Sequence, residues 1–288
     1  MTKHVVVTGA TGLLGRHVAE AYRNAGWRVT ALDVKAGDDA RVTRVDLLDL
    51  QAAMASIGPA DCVAHIASIP RPVGFAAHDV FHTNMTLMFN VLAAMEHSGV
   101  PRLVFASSFS VLGLPFAPTP VTLAYLPVDE HHPAQPQDVY AVSKWLGEEM
   151  VEAWVRRTGN PAVSLRMPWI QTAESFVTQV VARRATRDAG RDLWAYIDAR
   201  DAARAFVLAS TVETTGHERF FISAQDTYSE VASAALVEEW YPEMPIRTPL
   251  QGHATLLSNS RAEAVLKFRA AHGWRDYAGA IATTGSDA

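Results

Sequence analysis

The chain has 288 residues, of which 49% are hydrophobic, and a formal net charge of −5. This length can bury a sizeable core in one large domain, or in a large and a small one. The absence of a basic excess argues against nucleic acid or an anionic membrane as a partner. The single cysteine, Cys62, excludes an internal disulfide and favours a reducing compartment. No signal-peptide pattern or membrane-length apolar run stands in the sequence, so we expect a cytoplasmic protein.

Strands and helices alternate along the first part of the chain. Apolar runs and helical spacing predict strands at 5–8, 28–34, 42–45, 61–67, 103–106 and 162–165, with helices at 12–24, 51–56, 80–97 and 138–157. Such alternation is typical of a parallel sheet that helices cover on both faces. We therefore predict an α/β fold with a Rossmann-like, doubly wound parallel sheet.

The later part of the chain follows a different pattern. The proline-rich segment 113–137 is predicted to be a loop, long enough to suspect a functional role. From residue 167 helices dominate, with brief strands such as 220–222. We predict a core over 1–166, a small C-terminal lobe over 167–282 that is interleaved with the sheet edge, and a disordered tail at 283–288.

A glycine-rich turn joins the first predicted strand to the first helix. Residues 8–15 read TGATGLLG, which places Gly9, Gly12 and Gly15 between the two elements. Glycine lets a backbone approach a pyrophosphate closely, and the helix N-terminus supplies free N–H groups and a positive dipole end. The turn therefore predicts a dinucleotide site rather than a turn without a ligand.

Two aspartates follow the second and third predicted strands. Asp33 is placed to accept both hydroxyls of an adenosine ribose and to repel a 2′-phosphate, which favours NAD over NADP. The alternative is a solvated turn aspartate, and the nearby Lys35 could soften the preference. Asp46 stands where a side chain could reach the adenine amino group, with a helix-capping role as the alternative.

A tyrosine and a lysine stand four residues apart on the helix predicted at 138–157. Tyr140 and Lys144 therefore leave the same helix face, and the ammonium is expected to lower the pKa of the phenol. Tyrosine can then act as a general acid or base. Ser108, at the end of the fifth strand, is predicted to hydrogen-bond the reacting oxygen, with Ser107 and Ser110 as nearby substitutes.

Other polar residues suggest weaker hypotheses. Arg71 could meet a phosphate or a substrate carboxylate, with solvent exposure as the alternative, and Arg166 and Arg200 are better candidates for contact with an anionic substrate. His78 and His82 have the i, i+4 spacing of a zinc-binding helix, but no third ligand presents itself. We therefore predict no metal site.

Together these motifs resemble the extended branch of the short-chain dehydrogenase/reductase superfamily, also called the NAD-dependent epimerase/dehydratase family. Residues 8–15 are similar to its TGxxGxxG loop, and 107–113 to its SSxxVYG segment. Asn84 and Asn90 resemble its NxxGTxN helix, although Leu87 and Met88 replace the glycine and threonine. Residues 166–170 resemble its LRxxN segment beside the nicotinamide.

The resemblance implies a Ser108, Tyr140, Lys144 triad and a substrate-binding role for the C-terminal lobe. It also implies a set of cofactor contacts that includes the triad tyrosine and lysine. The set is completed by Gly9, Thr11, Gly12, Leu13, Leu14, Gly15, Asp33, Val34, Asp46, Leu47, Ile66, Ala67, Ser68, Asn84, Ser107, Met167 and Pro168. Substrate contacts are expected from Ser108, Ser110, Arg166 and Arg200.

Departures from the family pattern narrow the expected function. Phe109 and Ser110 stand where the 4,6-dehydratases of the family carry an Asp-Glu pair, which disfavours dehydration. The lobe is short compared with nucleotide-sugar epimerases, and the length is closer to that of uronate dehydrogenases. We predict an NAD-dependent oxidoreductase acting on a hydroxyl or carbonyl of a small sugar, sugar acid or related alcohol. The alternatives are a nucleotide-sugar epimerase with tightly bound NAD and a non-catalytic NAD(P) sensor.

Two predicted helices, 80–97 and 140–157, carry more apolar residues than one buried face needs. Family members often dimerise through these helices, so the resemblance implies a homodimer. The alternative is a thicker core within one chain. The surplus residues are Met85, Met88, Phe89, Met95, Trp145, Met150 and Trp154.

Overall fold

The computed structural model describes residues 2–35, 39–184 and 187–277. Within them, a seven-stranded parallel sheet has the strand order β3-β2-β1-β4-β5-β6-β9, and β7 pairs with β8 in a small separate sheet. The strands are β1 His4–Thr8, β2 Arg28–Asp33, β3 Val42–Arg44, β4 Cys62–His65, β5 Leu103–Ser108, β6 Ala162–Met167, β7 Trp169–Gln171, β8 Tyr196–Asp198 and β9 His217–Phe221. The tail predicted at 283–288 lies outside the described residues.

Helices cover both faces of the large sheet. They are α1 Leu13–Asn24, α2 Leu50–Ser56, α3 Ala77–Ser98, α4 Val139–Thr158, α5 Ala173–Ser175, α6 Val181–Arg183, α7 Ala199–Thr211, α8 Ser233–Trp240 and α9 Ser260–Leu266. A π-helical turn, Phe176–Val180, joins α5 to α6. The predicted Rossmann-like, doubly wound sheet is confirmed.

The side chains of each central strand divide between two cores. Along β1, Val5 and Val7 pack in the core beneath α1 and α7, whereas Val6 packs in the core beneath α2, α3 and α4. Residues of β5 and β6 are buried throughout. A parallel strand buried on both faces is mostly apolar, which explains why the apolar starts of these strands predicted them from the sequence.

The C-terminal lobe and the sheet share elements across residue 166. Both α7 and β9 come from after residue 166, yet they complete the core of the large sheet. In the opposite direction, Leu123, Leu126 and Val128 of the proline-rich segment are buried in the core of the lobe. Leu126 and Val128 also form bridges to Ile246 and Leu257. The segment 113–137 is thus part of the lobe rather than a free loop.

Helix caps fix where two functionally placed helices begin. Asp138 caps α4, since its carboxylate accepts hydrogen bonds from the backbone N–H groups of Tyr140 and Ala141. Asp198 caps α7 in the same way through Arg200 N–H.

Among the described residues, no helix is long and apolar enough to cross a membrane.

Candidate active site

The glycine turn brings three backbone segments into contact. Gly9 has a φ of +70°, and a Cβ there would lie 2.7 Å from the backbone nitrogen of Ala67. A Cβ on Gly15 would lie 1.9 Å from the carbonyl oxygen of Gly9. Gly12 is the N-cap of α1 and makes no side-chain capping bond. The turn therefore leaves the first N–H groups of α1 uncapped beside a bare backbone cradle, which fits a pyrophosphate.

Asp33 lies against this cradle at the end of β2. Its Oδ2 accepts a hydrogen bond of 2.9 Å from Thr11 N–H, and its Oδ1 accepts one of 3.0 Å from Lys35 N–H. Each carboxylate oxygen has a second lone pair, so the group can still accept ribose hydroxyls. The side chain is half-buried and held by the glycine turn, unlike a freely solvated aspartate. Val34 beside it is exposed.

The turn after β3 holds Asp46 and Leu47 in different environments. Asp46 is exposed and accepts a hydrogen bond from Leu48 N–H. It does not cap α2, because Asp49 fills that role. Leu47 is buried in the core, so only its backbone is available to a ligand. Asn90 donates to the carbonyl oxygens of Leu47 and Leu48 and fixes the turn.

Thr8 and His65 hold the segment that follows β4. Thr8 Oγ1 accepts hydrogen bonds from the N–H groups of Ile66 and Ala67, which leaves its own proton to donate to His65 Nδ1 at 2.8 Å. Burial and the nearby charge of Lys144 lower the pKa of His65 to about 3. His65 is therefore neutral and structural. This pair could not be predicted from the sequence, because its two residues are far apart in the chain.

Asn84 connects the same segment to both long helices. Its Oδ1 accepts from Ile69 N–H at 2.8 Å, and its Nδ2 donates to Ile69 O at 3.1 Å and to Ser143 Oγ at 2.9 Å. The amide is thus engaged within the protein on both sides. These bonds hold the loop after β4 against α3 and α4, and contact of Asn84 with the cofactor stays a prediction.

Tyr140 and Lys144 share one face of α4 and are both buried. The Lys144 Nζ donates to Ala106 O at 2.9 Å and to Ser68 Oγ at 3.2 Å, and it lies 5.6 Å from the centroid of the Tyr140 ring. These bonds attach α4 to the ends of β4 and β5. The predicted pairing on one helix face is present in the structure.

Burial controls the protonation of both groups. It raises the pKa of Tyr140 to about 12, although a hydrogen bond with Ser108 acts in the opposite direction. It lowers the pKa of Lys144 to about 7. The expectation that Lys144 lowers the pKa of this phenol is therefore wrong for the chain as it stands. Loss of hydration is the largest influence on this phenol, and the charge of Asp138 acts in the same direction.

The three serines at the end of β5 have different partners. Ser108 Oγ accepts from Ser110 N–H at 3.1 Å, and the Ser108 hydroxyl acts on Tyr140 in the direction that lowers its pKa. Ser107 donates to Glu148 Oε1 at 2.6 Å, and its role as a cofactor ligand stays a prediction. Ser110 Oγ is buried and has no hydrogen-bond partner among the described residues. Ser108 and Ser110 are thus the hydroxyl groups left for a ligand.

Both predicted arginines are paired with carboxylates. Arg166 is buried and forms two hydrogen bonds with Glu148, of 2.9 and 2.7 Å, and its role as a substrate ligand stays a prediction. Arg200 is bound to Asp198 by bonds of 2.9 and 2.7 Å and to Tyr277 OH at 2.8 Å. Its charge is already balanced, because it lies beside the aspartate that caps its own helix.

Two further predicted cofactor contacts differ in placement. Met167 pairs in register with Ser108 at the ends of β6 and β5, so Pro168 follows directly beside the triad serine. Leu14, by contrast, is buried in the core beneath α1, which leaves only its backbone for a cofactor, whereas Leu13 is exposed.

In the described residues, no cluster of three or more His, Cys, Asp or Glu could hold a metal ion.

The fold and this arrangement define a class of protein. A glycine cradle at the start of α1, an aspartate at the end of β2 and a serine-tyrosine-lysine set at the carboxyl end of β5 are the parts of a dinucleotide-dependent enzyme. The model of the NAD dependent epimerase/dehydratase family matches residues 5–222. The chain belongs to this family, whose members are NAD-dependent enzymes, and the resemblance, enzyme class and cofactor predicted from the sequence are confirmed.

Named relatives agree with this assignment. Uronate dehydrogenase of Pseudomonas syringae pv. tomato is 29% identical over 170 residues, which cover 57% of this chain and 58% of that protein. L-arabinose 1-dehydrogenase (NAD(P)(+)) of Haloferax volcanii is 29% identical over 195 residues, which cover 66% of this chain and 76% of that protein. The match to the uronate dehydrogenase thus spans less than two thirds of its length.

A solved structure supports the fold over almost the whole chain. A short-chain dehydrogenase/reductase superfamily protein from Agrobacterium tumefaciens, crystallised with bound NAD, gives a TM-score of 0.75 at 23% identity. The superposition covers 98% of this chain and 97% of that one. The lobe after residue 166 therefore has the same overall path as in that protein.

Proposed function

We propose that this chain transfers hydride between NAD and a hydroxyl or carbonyl group of a small sugar, sugar acid or related alcohol. The observation that carries the proposal is the meeting of Ser108, Tyr140 and Lys144 at the carboxyl end of β5. The glycine turn and Asp33 would hold the dinucleotide beside them. When bound, NAD supplies the nicotinamide that accepts or returns the hydride.

Each triad residue has a role that its contacts support. Tyr140 moves the proton of the substrate oxygen, and burial keeps its phenol protonated at neutral pH. That form donates to a carbonyl oxygen in reduction, and the reverse transfer serves oxidation. Ser108 orients the substrate oxygen. Lys144 is held by Ala106 O and Ser68, where it would meet the nicotinamide ribose.

The surroundings of the triad disfavour dehydration. Phe109 is buried in the core of the lobe, and Ser110 offers a hydroxyl rather than a carboxyl group. Neither can serve as the acid or base that removes water from a sugar. With Arg166 and Arg200 both paired to carboxylates, recognition by hydroxyl groups is favoured over recognition of a highly charged nucleotide sugar.

An epimerase that returns hydride to the same substrate would use the same triad, and this is the second candidate. The two are separated by how the protein holds NAD. A dehydrogenase exchanges NAD freely and produces NADH absorbance at 340 nm with one member of a panel of sugars and sugar acids. An epimerase retains NAD through dialysis and yields an isomer without net NADH.

The substitution Tyr140→Phe tests the mechanism itself. It removes the proton-transferring oxygen while keeping the ring, so we expect turnover to fall at least about 100-fold with NAD binding retained. The measurement is initial rate with the active substrate, together with NAD titration. Unchanged turnover would refute the proposed chemistry, and no turnover by the parent with either assay would favour the third candidate, an NAD sensor.

We further propose a homodimer formed through α3 and α4. Of the surplus apolar residues, Met88, Met95 and Trp154 are buried within the chain. A thicker core within one chain therefore explains these three residues of the apolar surplus. Phe89 and Trp145 remain exposed, at 57% and 37%.

We also propose a reducing compartment such as the cytoplasm, since the single cysteine is free and buried.

A further inference from the structure

A buried group of charges lies behind the serines of β5, and the proposed chemistry does not use it. Glu148, on α4, has a side chain that is only 1% exposed. Its Oε1 accepts hydrogen bonds from Ser107 Oγ at 2.6 Å and from Arg166 Nε at 2.9 Å. Its Oε2 accepts from Arg166 Nη2 at 2.7 Å and from Arg219 Nε at 3.1 Å. One carboxylate thus receives four donors.

The three partners stand on three neighbouring strands. Ser107 belongs to β5, Arg166 to β6 and Arg219 to β9. Ser107 and Arg166 are direct partners in the strand register. Glu148 therefore attaches one helix to the sheet at three points, by hydrogen bonds whose direction and length are fixed.

The helix that carries Glu148 also carries the catalytic pair. Tyr140, Lys144 and Glu148 stand at i, i+4 and i+8, so they share one face of α4. The partner of Glu148 on β5, Ser107, directly precedes Ser108. The carboxylate is therefore the side-chain link between the strand end that bears the serine and the helix that bears the tyrosine.

The charge on Glu148 is maintained despite its burial. Burial alone would raise the pKa of this carboxyl, but the hydrogen bonds and charge of Arg166, with help from Ser107 and Arg219, hold it below its usual value. A buried ion pair of this kind adds little net stability compared with apolar packing, yet its directional bonds favour one geometry. That property suits a group whose task is alignment.

We propose that Glu148 is a positioning residue that sets the separation of Ser108 and Tyr140 through Ser107 and the ion pair with Arg166. The inference rests on the proposed triad function. Glu148 does not touch the reacting atoms, so its loss should impair the chemical step and leave ligand binding in place.

Two variants test this role, and a third is a matched control. Glu148→Gln removes the charge, and Ser107→Ala removes only the hydroxyl that joins β5 to Glu148. Glu152→Gln changes the carboxylate one helical turn further along α4, which bonds to Arg219 and His217 but, in the described part of the chain, to no residue of β5.

We expect Glu148→Gln and Ser107→Ala to lower kcat by about 10- to 100-fold, because small displacements of reacting groups are costly. Substrate KM and the Kd for NAD should stay within about twofold of the parent, as for a loss confined to the chemical step. The interaction of Ser108 with Tyr140 favours the ionised phenol, so weakening it should raise the pKa of Tyr140. The limb of the kcat–pH profile that reports Tyr140 should therefore move to higher pH. Glu152→Gln should keep the parent's kcat and profile.

The outcomes separate this inference from the proposed function. If Tyr140→Phe retains turnover, the triad proposal fails. If Tyr140→Phe is inactive but Ser107→Ala matches Glu152→Gln in kcat and pH profile, only the positioning role of Glu148 is overturned. A loss of NAD affinity in Ser107→Ala would likewise overturn it in favour of a direct cofactor contact. Should Glu148→Gln fail to fold, Ser107→Ala alone decides, because it leaves every charge in place.

Discussion

Single residues near the site divide into those open to a ligand and those already bound within the protein. Ser108 and Ser110 keep hydroxyl groups for a substrate, whereas Ser107 and Arg166 are both bound to Glu148. The sequence could not make this division, because serines and arginines at strand ends look alike until their partners are known. Burial then sets the charge of the catalytic pair, which is a property of the surroundings and not of residue type.

Lys144 should make the stability of the chain depend on pH. Burial lowers the pKa of this lysine from 10.5 to about 7, so between those values the unfolded chain binds a proton that the folded chain does not. Its contribution to the free energy of unfolding therefore rises with pH across about 7 to 10. Lys144→Met should raise the free energy of unfolding most at pH 6, and this increase over the parent should shrink towards pH 10.

Urea unfolding of parent and variant at several pH values measures this difference. Lys35→Met is the matched control, since Lys35 is exposed and its replacement should have a small effect at every pH. An advantage of Lys144→Met that is constant from pH 6 to 10 would contradict the burial argument.

At the scale of elements, the site is formed where strand ends meet helix starts. The β1–α1 turn, the end of β2 and the segment after β4 are held together by backbone contacts of Gly9 and by the bonds of Asp33 and Thr8. Each of these elements was predicted from local pattern, because buried parallel strands and glycine turns have strong sequence signatures. Their bonds to one another join residues distant in the chain and could not be predicted in the same way.

Asp33 links two of these elements, and two substitutions separate its roles. Asp33→Ala removes both the bond to Thr11 N–H and the ribose acceptor, so we expect NAD affinity to fall by about 10- to 100-fold. Asp33→Asn keeps an acceptor for Thr11 but loses the charge that repels a 2′-phosphate, so NADP affinity should rise relative to NAD.

Equilibrium titration with both dinucleotides gives the ratio of their Kd values. If Asp33→Asn and Asp33→Ala leave that ratio at the parent's value, Asp33 serves only to hold the glycine turn and takes no part in cofactor choice.

For the whole molecule, the lobe and the sheet are built from interwoven parts of the chain. The segment 113–137 packs into the lobe, while α7 and β9 return from beyond residue 166 to complete the sheet. The core of the sheet and the core of the lobe are therefore connected by several passes of the chain. The face of α3 and α4 away from the sheet remains exposed and includes Phe89 and Trp145.

The proposed dimer should depend on that face. Phe89→Glu places a charge that would have to be buried in the interface, so we expect the dimer to dissociate to monomers. Phe75→Glu is the control, since Phe75 is 45% exposed but lies outside both helices. Light scattering after size-exclusion chromatography gives the mass of each variant. A monomeric parent, or the same mass for Phe89→Glu and the parent, would rule out this interface.

The sequence by itself determined the α/β alternation, the glycine turn, the aspartate after β2 and the placing of Tyr140 and Lys144 on one helix face, and it predicts the triad that these two form with Ser108. These features depend on local spacing and on residue types that few other structures require. Only the tertiary structure decided the raised pKa of Tyr140, the pairing of Arg166 with Glu148 and the place of segment 113–137 in the lobe. Burial and long-range pairing depend on which elements pack together, and local pattern carries little information about them.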